Sequence, residues 1–257
     1  SATEASAKTT LGYNWIATAQ RLGDVPCAWI DSEHAFDKKR AAKFCVDAKK
    51  LLIVDPRDLE SALDAISMIL GGHDPNAGRL LVPWDSIAAA TPNDELEANA
   101  DDPKIGLVAR LMSTNLRKFI SVLPAKRGLL VALNQQRVNL SVKFGSNVTT
   151  CGGNAVRYYS SIRLQLSPGS AVKNSKEDHV GKDITVTAMK TRFSEPFRSA
   201  KMRLLYDGKF DNDWSTLDLA KSLVDAFEAR DADGKAVKGA AAVALARKSL
   251  GWPEEEI

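Results

Sequence analysis

The chain has 257 residues, 44% apolar and 26% charged, with a formal net charge of +3. That composition excludes a disordered or low-complexity chain, and no run approaches the ~20 apolar residues that a membrane-crossing helix needs. Three cysteines (Cys27, Cys45 and Cys151) lack metal-ligand spacing and cannot all pair, and the three histidines are scattered. The expectation is a reducing cytoplasm, no membrane partner and no zinc site, with Cys27 and Cys45 in the core.

Leu11, Trp15, Ile16, Ala19 and Leu22 follow helical spacing up to Gly23. Residues 25–33 read as a buried strand ending in acids, Phe36–Cys45 as a helix, and 51–55 as a strand stopped by Pro56. Arg57–Leu70 places Leu59, Leu63, Ile66 and Leu70 on one helical face, and residues 79–86 form another strand ending at an acid. Pro92–Pro103 reads as an acidic loop and Ile105–Val122 as a long helix carrying Arg110, Arg117 and Lys118. Strands are predicted at Leu129–Leu133, Ile162–Leu166, 184–190 and 200–207. Ser215 is the expected cap of a helix to about Arg230, with Asp218 at the capping-box position. A turn at 231–235 leads to an alanine-rich helix that ends at Gly251.

Strand–helix alternation in the first half predicts βαβ units in a mostly parallel, twisted α/β sheet flanked by helices. In such sheets ligands sit at the carboxyl ends of the strands. Here those ends carry Asp31–Glu33, Asp85 and Asn134–Gln135.

Charge is unevenly spread. From Lys104 through Lys176 there is no Asp or Glu, and these 73 residues hold 12 Lys or Arg; the other 184 residues therefore sum to 3 minus 12, or −9. A one-sign island on an otherwise acidic chain is the footprint of a polyanion site. It centres on the long polar segment between Leu133 and Ile162, with Arg137, Lys143, Arg157 and Phe144 and with glycines at 145, 152 and 153. A connection of that length is a functional or a disordered loop.

Lys8-Thr9 stands just ahead of a helix, where bare N–H groups and a Lys hold phosphate. Against the pattern G-x-x-x-x-G-K-[ST], both glycines are alanine, Ala2 and Ala7. Taken alone, the frame also fits a plain N-capped helix. Asp85 is suited to support Mg²⁺, Glu33 to orient an attacking water, and Gln135 to sense a phosphate through its amide.

Six stretches, IDSEHAFD (30–37), WDSIAAATP (84–92), IGLVARLMSTNLRKF (105–119), LNQQR (133–137), FGSNVTTCGGNAVRYYSSIRL (144–164) and MKTRFSEPF (189–197), resemble the bacterial RecA recombinases in order and spacing. The resemblance covers roughly residues 2–230, and a phage-encoded relative in the way of UvsX fits the altered phosphate loop. It implies a P-loop NTPase core of the RecA type over 1–207, with a small α-rich appendage over 208–257. It also implies ATP and Mg²⁺, with Lys8, Thr9 and Thr10 at the phosphates, and Thr9 and Asp85 serving the metal. Glu33 would activate water, Asp37 would face the adenine edge, and Arg40 stands where the family stacks an aromatic ring on the base. Gln135 would read the γ-phosphate, and Lys190 and Arg192 would reach ATP bound on a neighbouring subunit.

The implied partners are single-stranded DNA, a homologous duplex, and further copies in a helical filament with ATP at the interfaces. The first DNA loop would match Glu95–Gly106 and the second Val138–Gly152. Arg110, Ser113, Arg117, Arg137, Gly152, Gly153 and Asn154 would meet the strand backbone, and Ile105, Val142, Lys143 and Phe144 would lie among the bases. A non-hydrolysing filament accessory and a hexameric helicase motor are the alternatives. Three departures from the family stand out: the two alanines, Pro83 inside a strand, and no strand ahead of the phosphate loop, which suggests a piece of a longer protein.

Overall fold

The computed structural model describes residues 7–23, 25–97, 106–138, 148–223, 230 and 235–250. They fall into two compact units, 1–163 and 164–257.

The first unit is built on four parallel strands, β1 (Cys27–Asp31), β2 (Leu51–Val54), β3 (Leu80–Asp85) and β4 (Gly128–Ala132), in the order β2-β1-β3-β4. The two central strands, β1 and β3, are buried at every residue. This is why they read as unbroken apolar runs: helices cover both faces of a parallel sheet. Side chains alternate between the faces. Ile30, Val82 and Trp84 join one core with Leu59, Leu63, Ile66 and Leu70 of α3 (Leu59–Gly72) and Met112 and Phe119 of α5 (Leu107–Ala125). Trp29, one residue from Ile30, instead stacks with Tyr13 of α1 (Lys8–Arg21) and with Phe36, at ring centroid distances of 5.2 and 5.5 Å. Gly12 permits that approach, since a Cβ there would sit 2.8 Å from the Trp29 ring. Pro83 has no N–H to donate. Opposite it the β1–β3 register passes over Ala28 and Trp29, while the β3–β4 register runs unbroken from Leu80 to Trp84.

Several elements differ from the sequence expectation. The helix α2 is only Lys38–Lys43, because the Asp37 side chain caps it by accepting from the backbone N–H groups of Lys39 and Arg40. Cys45 is exposed rather than in the core: it closes α2 in a left-handed conformation, φ 63°, while Cys27 is buried. The acidic loop contains a short helix, α4 (Asn93–Glu97). The long polar segment contains an antiparallel pair, β5 (Gln136–Val138) with β6 (Val148–Thr150), followed by α6 (Gly153–Tyr159). Residues 139–147 lie outside the described residues.

The second unit has a three-stranded sheet, β7 (Ile162–Lys173, which leads in from the first unit), β8 (His179–Thr191) and β9 (Ser199–Leu205), with β8 and β9 antiparallel. Its helices are α7 (Asn212–Leu223) and α8 (Ala240–Ser249). Asp211, not Ser215, caps α7: its carboxylate accepts from Trp214 N at 2.9 Å. Ser215 lies one turn inside, where its hydroxyl donates to the Asp211 carbonyl, so Asp218 is not at a capping-box position. Among the described residues no helix is long and apolar enough to cross a membrane.

Candidate functional site

Three strand ends interlock. Asp31 and Asp85 are register partners, Glu33 N donates to the Asp85 carbonyl at 3.1 Å, and Leu133 N donates to the Trp84 carbonyl at 2.9 Å. The start of α1 meets this edge. Its first residues are Lys8, Thr9 and Thr10, with no acid in the first turn and no side-chain cap. Such a helix end is electropositive and favours an anion. The Thr9 hydroxyl donates to Asp85 Oδ2 at 2.6 Å.

Asp85 is 3% exposed, and its Oδ1 has no hydrogen-bond partner among the described residues. Burial pushes its carboxyl up to about 6; the charges of Glu33 and Asp31 add to this, while the Thr9 hydrogen bond and Lys8 oppose it. A hydroxyl and a carboxylate with one unsatisfied buried oxygen fit a hard divalent cation such as Mg²⁺. Among the described residues no group of three His, Cys, Asp or Glu side chains could hold a metal alone. Mg²⁺ commonly fills the rest of its shell with phosphate oxygens and water.

Two donors converge on Glu33 Oε1: the Ser86 hydroxyl at 2.6 Å and the Gln135 amide at 3.3 Å. Among the described residues both of its side-chain donors use this one oxygen. Oε2 is thereby the oxygen suited to take a proton. Lys8, Thr9, Glu33, Asp85 and Gln135 are thus brought together. Ser86 is a residue that sequence reasoning missed, although its place between Asp85 and the next turn was a signal.

Asn134, which the sequence marks only as a polar strand end, takes a connecting role. It is 4% exposed, its Nδ2 donates to the Cys151 carbonyl at 2.8 Å, and its Oδ1 accepts from Gln135 N at 2.8 Å. One buried amide therefore ties the end of β4 to the turn that opens α6. At that turn Gly152 and Gly153 both have positive φ, 88° and 67°. A Cβ on Gly152 would meet Val156 at 2.6 Å, and one on Gly153 would meet Ala109 at 2.8 Å. The paired glycines let α6 lie directly on α5. Asn154 is exposed there, as are Arg110 and Arg117 on α5, with Ser113 half-buried between them.

On the other side of α1, the Tyr13 hydroxyl accepts from Asp37 N at 3.2 Å, and burial raises the Tyr13 phenol above its ordinary range. Arg40 Nη2 donates to the Thr10 hydroxyl at 2.7 Å. Thr10, Asp37 and Arg40 therefore flank the same helix start. Lys190 and Arg192 belong to the second unit, at the end of β8 and just beyond it. Arg137 is on β5. Ile105, Val142, Lys143 and Phe144 lie outside the described residues.

Comparison with known proteins places the chain in a family. The RecA N-terminal domain family matches residues 2–211. Protein RecA of Colwellia psychrerythraea is 40% identical over 211 residues, 81% of this chain and 59% of that protein. Protein RecA of Methylococcus capsulatus is 38% identical over 218 residues, covering 84% of this chain and 60% of that protein. The crystal structure of the RadB recombinase matches with a TM-score of 0.58 at 17% identity, over 81% of this chain and 86% of that one. The fold is the α/β fold of those recombinases, and the chain belongs to the RecA family. It spans about 60% of the length of the curated relatives it matches.

Proposed function

We propose that this protein is an ATP-dependent recombinase that assembles on single-stranded DNA and exchanges strands with a homologous duplex in recombination and repair. The observation that carries the proposal is the chain of contacts from Thr9 and Asp85, through Glu33 and Gln135, to Asn134 and the glycine turn beside α5. A phosphate-side site and a basic helical face are joined by a single strand end.

In this reading Lys8 and the start of α1 hold the phosphates, with Arg40 beside them on Thr10 and Asp37 towards the base. Thr9 and Asp85 hold Mg²⁺, which when bound supplies positive charge to the phosphate oxygens. Ser86 and Gln135 fix Glu33 through Oε1, and Oε2 accepts the proton of the attacking water. Gln135 also sits next to Asn134, so a change in its hydrogen bonding is passed to the turn at Gly152–Gly153. Arg110, Ser113, Arg117, Arg137, Asn154 and the glycine turn meet the DNA backbone, and Ile105, Val142, Lys143 and Phe144 meet bases. Binding to phosphates is independent of sequence and weakens with salt.

Lys190 and Arg192 complete the site of a neighbouring copy in the filament, in the manner of a trans-acting arginine finger. Residues 1–207 make up the ATPase and DNA-binding core and 208–257 its helical appendage; the family match to residue 211 supports a boundary near there. The protein works in the cytoplasm of a bacterial cell, as the product of a host or a phage gene.

The test is ATP hydrolysis with and without single-stranded DNA. Glu33→Gln should lower the DNA-stimulated rate by about a hundredfold or more while DNA binding is retained. Normal hydrolysis by that variant would sink the catalytic assignment. A second reading, a filament accessory that binds ATP without hydrolysing it, is favoured by Ala7. It occupies a left-handed conformation, φ 61°, at the cap of α1, where a Cβ is strained. Tight single-strand binding with no DNA-dependent phosphate release by the wild type would select it.

A further inference from the structure

We propose that Arg40 makes this site select its nucleotide by the polyphosphate rather than by the base. The assignment rests on the nucleotide reading above.

Thr10 is the third residue of α1 and follows Thr9, whose hydroxyl contacts Asp85. Thr10 is 1% exposed, so the 2.7 Å bond from Arg40 Nη2 fixes the guanidinium to a buried, immobile point on the first turn. That turn is the electropositive helix end already carrying Lys8. Among the described residues, one of the five donors of this guanidinium is used. The remaining donors suit bidentate contact with phosphate oxygens.

Base discrimination is correspondingly weak. It requires polar groups that a wrong base would leave buried and unpaired. Arg40 and Asp37 are both exposed, so water can replace a missing contact at small cost. Asp37 Oδ1 is also occupied, accepting from Lys39 N at 2.8 Å and from Arg40 N at 3.1 Å. Any stacking by the guanidinium adds no selectivity, since every base presents a π-face.

The experiment is calorimetric titration of the full chain with ATP, GTP, CTP, UTP and inorganic tripolyphosphate, each with Mg²⁺. The wild type should bind the four nucleotides within about fivefold of one another. Arg40→Ala should weaken all four, and tripolyphosphate equally, by about 10- to 100-fold, with Arg40→Lys intermediate. A wild-type preference for ATP above about fiftyfold, or tripolyphosphate binding unchanged in Arg40→Ala, would overturn the assignment while leaving the ATP reading intact. Failure of the wild type to bind any triphosphate would overturn both. The wild-type comparison among bases needs no variant, so it decides even where Arg40→Ala does not fold.

Discussion

The two sheets treat their carboxylates in opposite ways. In the parallel sheet of the first unit, Asp85 ends a fully buried strand with one oxygen unpartnered among the described residues and three acidic groups close together. In the antiparallel sheet of the second unit, Asp183 on β8 is paired with Arg203 on β9 by two bonds, 2.8 and 3.2 Å. Arg203 in turn lies 3.9 Å over the Trp214 ring. The strands there are mostly half-buried, so charges on them are screened and matched. A buried carboxylate without a full set of partners costs stability, and is retained where a ligand needs it. A matched, partly buried pair on a sheet stabilises modestly. The difference distinguishes a site from a scaffold.

The largest expected effect breaks this contrast at Asp85. Its folded carboxyl titrates at about 6, above the ordinary 3.8. The folded state therefore binds its proton more tightly than the unfolded chain, and stability falls as pH rises from about 4 through about 6. Above that range the ionised form costs on the order of 3 kcal/mol. Asp85→Asn should recover about that much at pH 7.5 and flatten the decline, read by urea unfolding across a pH series. The same variant should lose Mg²⁺-dependent nucleotide binding. An unchanged pH profile would mean that Asp85 is not strained as described.

A smaller effect of opposite sign is expected at Asp183. Asp183→Asn breaks a partly buried, two-bonded pair and should destabilise the protein by about 1–2 kcal/mol at neutral pH. Urea unfolding of wild type and variant measures it. A gain in stability there, as at Asp85, would erase the distinction between the two sheets.

The smallest effect concerns the cap of α1. Ala7→Gly removes a Cβ from a left-handed position and should stabilise by about 1 kcal/mol, visible as a higher thermal midpoint. If Ala7 also limits turnover, DNA-stimulated hydrolysis rises with it; a rise in midpoint alone would assign the strain to folding and not to catalysis.

Much of the first unit was legible in the sequence. Unbroken apolar runs ending at Asp31 and Asp85 announce the buried central strands, and the run ending at Leu133 announces a half-buried edge strand. The spacing of Leu59, Leu63, Ile66 and Leu70 announces the helix that covers them. Periodicity is visible because burial on a regular element repeats along the chain. Caps and short irregular elements were less legible. Ser215 and Asp211 are both good caps by type, and only the backbone N–H that each meets tells them apart. Cys45 is apolar enough for a core, yet the turn that closes α2 directs it outward. The hairpin and helix within the long polar segment carry no strong period over elements of three to seven residues.

The sequence alone thus determined the kind of sheet, the polar strand ends and the basic, acid-free stretch from 104 to 176, because each is a property of neighbours along the chain. Only the tertiary structure decided which of those groups touch. It placed the Thr9 hydroxyl on Asp85 across 76 residues, Gln135 on Glu33 across 102, and Arg40 on Thr10 across 30. Those pairings follow from strand order and from helix packing through Gly12 and the 152–153 turn, interactions between elements that no local pattern contains.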